Sequence, residues 1–144
     1  MSHDLNTLLE GLASTDPAVR DGWAYEGLAE GIAEGRFADD HEVIKKTALA
    51  RLESADVQAR TFAPLILTWL VDAGDRDRGA FEATSDWYLA ETDTRGYDPE
   101  LGWLHAVAHG ADYLGTCVAS GLATGPEVLE ILGRRLVAPG EAWR

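Results

Sequence analysis

The residues Asp56-Val-Gln-Ala-Arg-Thr-Phe-Ala-Pro-Leu-Ile-Leu-Thr-Trp-Leu-Val-Asp-Ala73 decide the fold class. Their apolar side chains recur every three or four residues, which is the spacing of one buried helix face. We therefore predict a helix from about Asp56 to Ala73 that is closed by Gly74. Pro64 should kink this helix or delay its regular part, because proline has no backbone N–H and its ring clashes with the preceding turn.

The same spacing continues through the rest of the chain and predicts an all-α fold of about seven helices in one domain, residues 1–144. Asp16 followed by Pro17 is typical of an N-cap and a first helical position, whereas the loop from Thr92 to Leu101 contains turn-forming pairs. No stretch alternates convincingly with a period of two, so no strand is predicted. The apolar positions that we expect to be buried outside the central stretch are Leu5, Leu8, Leu9, Leu12, Val19, Trp23, Ile32, Val43, Ile44, Leu49, Leu52, Phe81, Tyr88, Leu89, Leu104, Val107, Ala111, Leu114, Val118, Leu129, Leu132 and Leu136.

Three of the predicted helices start near residues 17, 56 and 102, at intervals of about 40 and 46 residues, which match the helix-pair period of HEAT-type repeats. The string from Asp16 to Asp21 resembles the turn and second helix of such a repeat, and Asp56 with Arg60 is a weaker copy. We therefore predict a HEAT-like α-α superhelix in which the first six helices form consecutive antiparallel pairs and the seventh has no partner. Because the seventh helix would expose its apolar face, we expect further chain after Arg144 or another surface that covers it.

Composition limits the partners of the chain. Its 25 acidic and 12 basic side chains give a formal charge of −13, which repels nucleic acid and an anionic membrane surface. No apolar run approaches the roughly 20 residues of a membrane span, and the N-terminus lacks the pattern of a secretory signal. The single Cys117 excludes an intrachain disulfide and fits a reducing compartment. We therefore expect a cytoplasmic protein that binds neither nucleic acid nor membranes.

The residues from Glu91 to Asp112 concentrate acids, an arginine, aromatic side chains and two of the four histidines. If the segment after Pro99 is helical, His105, His109 and Asp112 stand at i, i+4 and i+7 and share one helix face. The sequence therefore predicts a functional or structural site on this face.

Three interpretations of this site stay open. In the first, His105, His109 and Asp112 bind a divalent metal together with Glu91 or Asp93, although Ala106 replaces the glutamate of a zincin helix. In the second, which we favour, Arg95 forms a bidentate pair with Asp112 or Glu91 in an architectural network that Trp103 covers. In the third, a histidine and Asp112 transfer protons while Arg95 binds an anionic substrate group. We predict no cofactor, and a divalent metal is an alternative only.

The central segment resembles a bacterial family known as domain of unknown function 2785, which is grouped with HEAT-like repeat proteins. The matching residues are Asp93, Arg95, Gly96, Tyr97, Gly102, Trp103, His105, Ala106, Ala108, His109 and Asp112. Weaker matches are Asp16, Pro17, Arg20, Asp21, Arg60 and Phe62. The resemblance implies a HEAT-like fold and no particular activity, and it implies a further helical segment that opens at a Gly-Glu pair, here Gly140-Glu141.

The preferred prediction for function is a binding or scaffold module. In this hypothesis Arg20, Arg60 and the His105 face contact a partner protein, a peptide or a small anionic ligand. The alternative is a small metal-dependent hydrolase in which His105, His109 and Asp112 are ligands or acid/base groups. The candidate binding residues are Arg20, Arg60, Glu91, Asp93, Arg95, Tyr97, Trp103, His105, His109 and Asp112.

Overall fold

A computed structural model of the chain describes residues 3–138 and confirms the all-α fold. The α-helices are α1 Leu5–Leu12, α2 Pro17–Val19, α3 Tyr25–Ala33, α4 His41–Arg51, α5 Val57–Asp72, α6 Arg78–Ala90, α7 Ala106–Ala119 and α8 Gly125–Leu136. The prediction that there are no strands is wrong in one place, because β1 Tyr97–Asp98 pairs with β2 Gly102–Trp103 in an antiparallel hairpin.

The central stretch forms α5, which is the most deeply buried helix of the fold and packs against α3, α4 and α7. Pro64 lies inside α5 but does not delay it, since the helix begins seven residues earlier at Val57. Gly74 follows the end of the helix with a φ of +109°, as expected of a glycine just beyond a helix terminus. Buried side chains on α5 include Phe62, Ala63, Leu65, Ile66, Leu67, Leu70 and Val71.

The second predicted helix is not one regular α-helix. Asp16 caps α2 by accepting a hydrogen bond from the Ala18 N–H at 2.9 Å, but residues Arg20–Ala24 then form a π-helical segment before α3 begins. This segment changes the side-chain phase along the helix, so Trp23 is only partly buried while Arg20 lies fully inside. π-Helical segments of this kind frequently mark functional sites.

The predicted helix pairs are found: α1 packs against the π-helical segment and α3, α4 packs against α5, and α6 packs against α7. The prediction that the last helix has no partner is wrong, because α8 contacts both α6 and α7 and buries Val128 and Arg135. The outer side of α8 nevertheless leaves Leu129 70% and Leu136 65% exposed. The Gly140-Glu141 pair lies outside the described residues.

Other burial predictions failed where charged side chains took an interior position. Val43 on α4 is exposed, and the neighbouring Lys45 is buried instead because its ammonium group forms ion pairs with Asp75 at 3.0 Å and Asp77 at 3.1 Å. Within residues 3–138, no helix is long and apolar enough to cross a membrane.

Candidate ligand-binding cleft

Two arginines that lie 40 residues apart have the same local geometry. Ser14 and Ser54 each accept a hydrogen bond at 3.1 Å from the N–H of the aspartate two residues later. Arg20 and Arg60 then each donate from Nη1 to the carbonyl of the serine six residues before, at 3.2 and 2.9 Å respectively. The sequence motif Ser-x-Asp-x-x-x-Arg is therefore a structural repeat at the start of two helices.

Arg20 fastens the hairpin to the N-terminal helices. Its guanidinium group is fully buried and donates from Nη2 to the carbonyls of Leu101 and Trp103, while Nε pairs with Asp21 at 3.2 Å. The same group lies 4.8 Å from the centre of the Phe62 ring. The prediction that Arg20 faces a partner is therefore wrong, because its donors are used inside the protein.

The donors of Arg60 are likewise used inside the protein, by Glu91. Its Nε and Nη2 donate to the two carboxylate oxygens of Glu91 at 2.5 and 3.2 Å, which is a bidentate pair. The Glu91 carboxylate is buried and also accepts hydrogen bonds from the Trp87 indole and from the backbone N–H groups of Thr92 and Asp93. The partner that we predicted for Glu91 was Arg95, so the network exists but with a different arginine.

Arg95 lies on the surface rather than in an enclosed network. It donates to Asp93 at 2.6 and 2.9 Å and to Asp98 at 2.5 Å, and its side chain is 45% exposed. The hydrogen bonds from Arg95 lower the pKa of Asp93. Asp112 is exposed on α7 and accepts no bond from Arg95 in the described structure, so the predicted pair of these two residues is not formed.

His105 does not stand on the helix face that we predicted. It is the N-cap of α7 and has a left-handed backbone conformation with a φ of +52°, which is uncommon for a residue other than glycine. Its ring stacks on Trp103 with a centroid distance of 4.9 Å and an interplanar angle of 6°. Because His105 precedes the helix and has a non-helical backbone conformation, it does not continue the predicted helix face of His109 and Asp112, although the His105 and His109 ring centroids lie 6.0 Å apart.

His109 is held by α5. Its Nδ1 lies 2.8 Å from the Thr61 carbonyl oxygen, which can only accept, so Nδ1 carries the proton and the neutral ring keeps its lone pair on Nε2. The ring contacts Phe62 edge-on at 5.1 Å and His105 at 6.0 Å. Burial lowers the pKa of His109, with a further contribution from His105, and the hydrogen bond to Thr61 opposes this shift. His109 is therefore a neutral, fixed imidazole at neutral pH.

The donor set for a metal is too small. Across residues 3–138, no group of three or more histidine, cysteine, aspartate or glutamate side chains is placed to hold one metal ion. A structural zinc site takes four protein ligands and a catalytic one takes three, whereas here two imidazoles adjoin without a carboxylate from Asp112.

An open cleft of about 470 Å³ lies where the hairpin meets α3, α5 and α7. Trp103 on its wall is 53% exposed. The residues that line the cleft are Asp21, Tyr25, Glu26, Phe62, Trp103, His105 and His109. We refer to this feature as the aromatic cleft.

The sequence did not place Tyr25 and Glu26 at a site. Asp21, Tyr25 and Glu26 follow one another at i, i+4 and i+5, a spacing that puts them on one side of a helix and could have indicated a shared face. Their approach to Trp103 depends on the buried Arg20 and on the hairpin, which sequence spacing does not reveal. Tyr97 lies beside Trp103, at 4.9 Å between ring centroids, but does not line the cleft.

The sequence model of a known family, described as "Protein of unknown function (DUF2785)", matches residues 48–136, which is more than half of the chain. The chain belongs to this family. The DUF2785 match covers α5 to α8, the hairpin and four lining residues, Phe62, Trp103, His105 and His109. Asp21, Tyr25 and Glu26 come from the part that precedes the match. Searches of curated proteins and of solved structures found no match to the chain.

Proposed function

We propose that this DUF2785 protein is a HEAT-like helical-repeat binding module and that the aromatic cleft is its ligand site. The observation that carries the proposal is the wide exposure of Trp103, an indole that the His105 stack holds in place beside an open cavity. Ligand sites are typically concave, of about 300–1,000 Å³, and lined by aromatic side chains with a few polar groups. The aromatic cleft has each of these properties.

The repeated Ser-x-Asp-x-x-x-Arg geometry at Arg20 and Arg60 supports the HEAT-like part of the proposal. In a helical-repeat protein, equivalent residues of successive units recur at a fixed interval and hold neighbouring units together. Here the first arginine binds the hairpin and the second binds Glu91, so both stabilise the same segment between α6 and α7. This supports a module whose rigid frame positions the aromatic cleft.

Binding is better supported than catalysis. The lining residues include no serine, threonine, cysteine or lysine that could act as a nucleophile beside His109. The alternative, a metal-dependent hydrolase, has less support, because no group of three or more histidine, cysteine, aspartate or glutamate side chains within residues 3–138 is placed to hold one metal ion. We also propose that the protein is bacterial and cytoplasmic, as expected from the sequence. The free, buried Cys117 fits a reducing compartment.

The proposal can be tested with a fragment screen by ligand-observed NMR on wild-type protein and two variants. Trp103→Ala removes the cleft wall, whereas Leu129→Ala removes an exposed apolar side chain on α8 that does not line the cleft. We expect fragments whose binding signals are lost with Trp103→Ala and kept with Leu129→Ala. The proposal is wrong if a folded wild-type protein binds no fragment, or if all hits survive Trp103→Ala.

A further inference from the structure

The charges that line the aromatic cleft are all negative. Asp21 and Glu26 are the acidic side chains of the lining, and no lysine or arginine is among the residues that line the cleft. Asp21 already balances the buried Arg20 through its ion pair at 3.2 Å. Glu26 is exposed and makes no ion pair within the described residues, so its charge is available to a ligand.

This arrangement disfavours the anionic ligand that the arginines had suggested. Arg20 donates to Asp21 and to carbonyl groups of the hairpin. Arg60 donates to Glu91. Arg95 donates to Asp93 and Asp98. An anion in the cleft would meet carboxylates rather than guanidinium groups. The formal charge of −13 would add long-range repulsion.

The aromatic groups of the cleft suit a cation. The indole of Trp103 and the phenol ring of Tyr25 carry negative potential on their faces, and tryptophan is the best of the natural side chains at attracting an ammonium group. A primary ammonium group needs acceptors for its three N–H donors, but a fully alkylated (quaternary) ammonium group has no N–H donor and buries its methyl groups on rings. The cleft supplies several aromatic rings and one free carboxylate, which is the balance that an alkylated ammonium group requires.

We propose that the aromatic cleft binds a small organic cation, with an alkylated ammonium group against the Trp103 indole and its charge balanced by Glu26. This inference rests on the proposed function, since it names the chemical class of the ligand of the same cleft. Tyr25 completes the aromatic wall on the α3 side.

The test compares two probes of the same shape. Choline carries a trimethylammonium group, and 3,3-dimethylbutan-1-ol replaces its charged nitrogen with carbon. Both are titrated into ¹⁵N-labelled protein, and chemical-shift changes are followed in two-dimensional NMR spectra. We expect choline to shift resonances around Trp103 and Glu26 and to bind about tenfold more tightly than the neutral alcohol.

Two glutamate variants separate a local charge effect from the net charge. Glu26→Gln should remove most of the preference for choline, whereas Glu30→Gln, one turn further along α3 and outside the cleft lining, should keep it. Equal binding of the two probes, no binding of choline, or an equal effect of the two variants would overturn the inference. If fragments of other charge bind the cleft in the screen above and choline does not, the binding function stands while the cation inference fails.

Discussion

Replacing Glu91 with alanine should lower the free energy of unfolding by about 3–5 kcal/mol, the range measured when one partner of a buried ion pair is removed. The Glu91 side chain is 6% exposed and accepts two hydrogen bonds from Arg60, at 2.5 and 3.2 Å. It also accepts from the indole of the buried Trp87 at 3.2 Å and from two backbone N–H groups at 3.0 and 3.2 Å. The variant leaves the Arg60 charge uncompensated and the indole donor without its acceptor, and both losses act in the same direction.

The matched control is Arg95→Ala, which breaks ion pairs of similar length on the surface. Because the Arg95 side chain is 45% exposed, its pairs with Asp93 and Asp98 should contribute less than about 1 kcal/mol. Urea unfolding followed by circular dichroism measures both variants, provided that the slope with denaturant is unchanged. The reasoning is refuted if Glu91→Ala loses no more stability than Arg95→Ala.

A double-mutant cycle isolates the pair itself. If Arg60 and Glu91 stabilise each other, the double alanine variant should lose less than the sum of the two single variants, by about 1–3 kcal/mol. Strict additivity would show that the contact at 2.5 Å contributes no coupling and that Glu91 acts only through its other donors.

Gly110→Ala should destabilise the protein by about 1–3 kcal/mol, because the new Cβ would lie 2.2 Å from a Tyr88 ring carbon. Gly115→Ala on the same helix meets no atom within 4 Å and should stabilise the protein by up to about 1 kcal/mol. Thermal unfolding measures both variants, and a change in stability of the same sign in both would contradict the packing. Burial lowers the pKa of His109 below the usual histidine value of 6.5, so this side chain takes up its proton at a higher pH in the unfolded chain than in the folded protein. The stability of the fold should therefore decrease as the pH drops below 6.5. His109→Asn, whose amide can still donate to the carbonyl that His109 contacts, should lose less stability than the wild type as the pH falls below 6.5, as measured by urea unfolding at a series of pH values. An unchanged dependence on pH would refute this. Arg20→Met should speed hydrogen exchange across residues 95–105 more than in the rest of the protein, and an unchanged exchange rate there would show that Arg20 does not hold the hairpin.

Local sequence signals predicted the helices well. The apolar spacing of residues 56–73 predicted α5 to within one residue at each end. The prediction succeeds because the apolar residues that this helix buries recur at helical spacing within the segment itself. The predicted cap at Asp16 is also local, since its carboxylate accepts from an N–H two residues later. The same holds for the N-cap of α8, Thr124, whose hydroxyl oxygen accepts from the Glu127 N–H three residues later. These contacts are fully determined within one turn of helix.

The hairpin, the backbone conformation of His105 and the pairing of the arginines could not be predicted from local sequence signals. The two-residue strands of the hairpin are too short for a pattern. No sequence signal predicts the φ of +52° at His105, a conformation that is uncommon for a residue other than glycine. The sequence singled out Arg60 and Glu91 but not their pairing, because the two residues are 31 positions apart and meet only through the packing of the helices. Because acidic residues surround Arg95 in the sequence, we predicted that Glu91 pairs with Arg95, whereas in the structure Glu91 pairs with Arg60.

The most direct test of the aromatic cleft as a ligand site is a crystal structure of the protein with the strongest hit from the fragment screen. The account predicts ligand density between Trp103, Glu26 and His109, with the arginine contacts of the frame unchanged. Density on another surface, with the aromatic cleft empty at a concentration that saturates binding in solution, would contradict it.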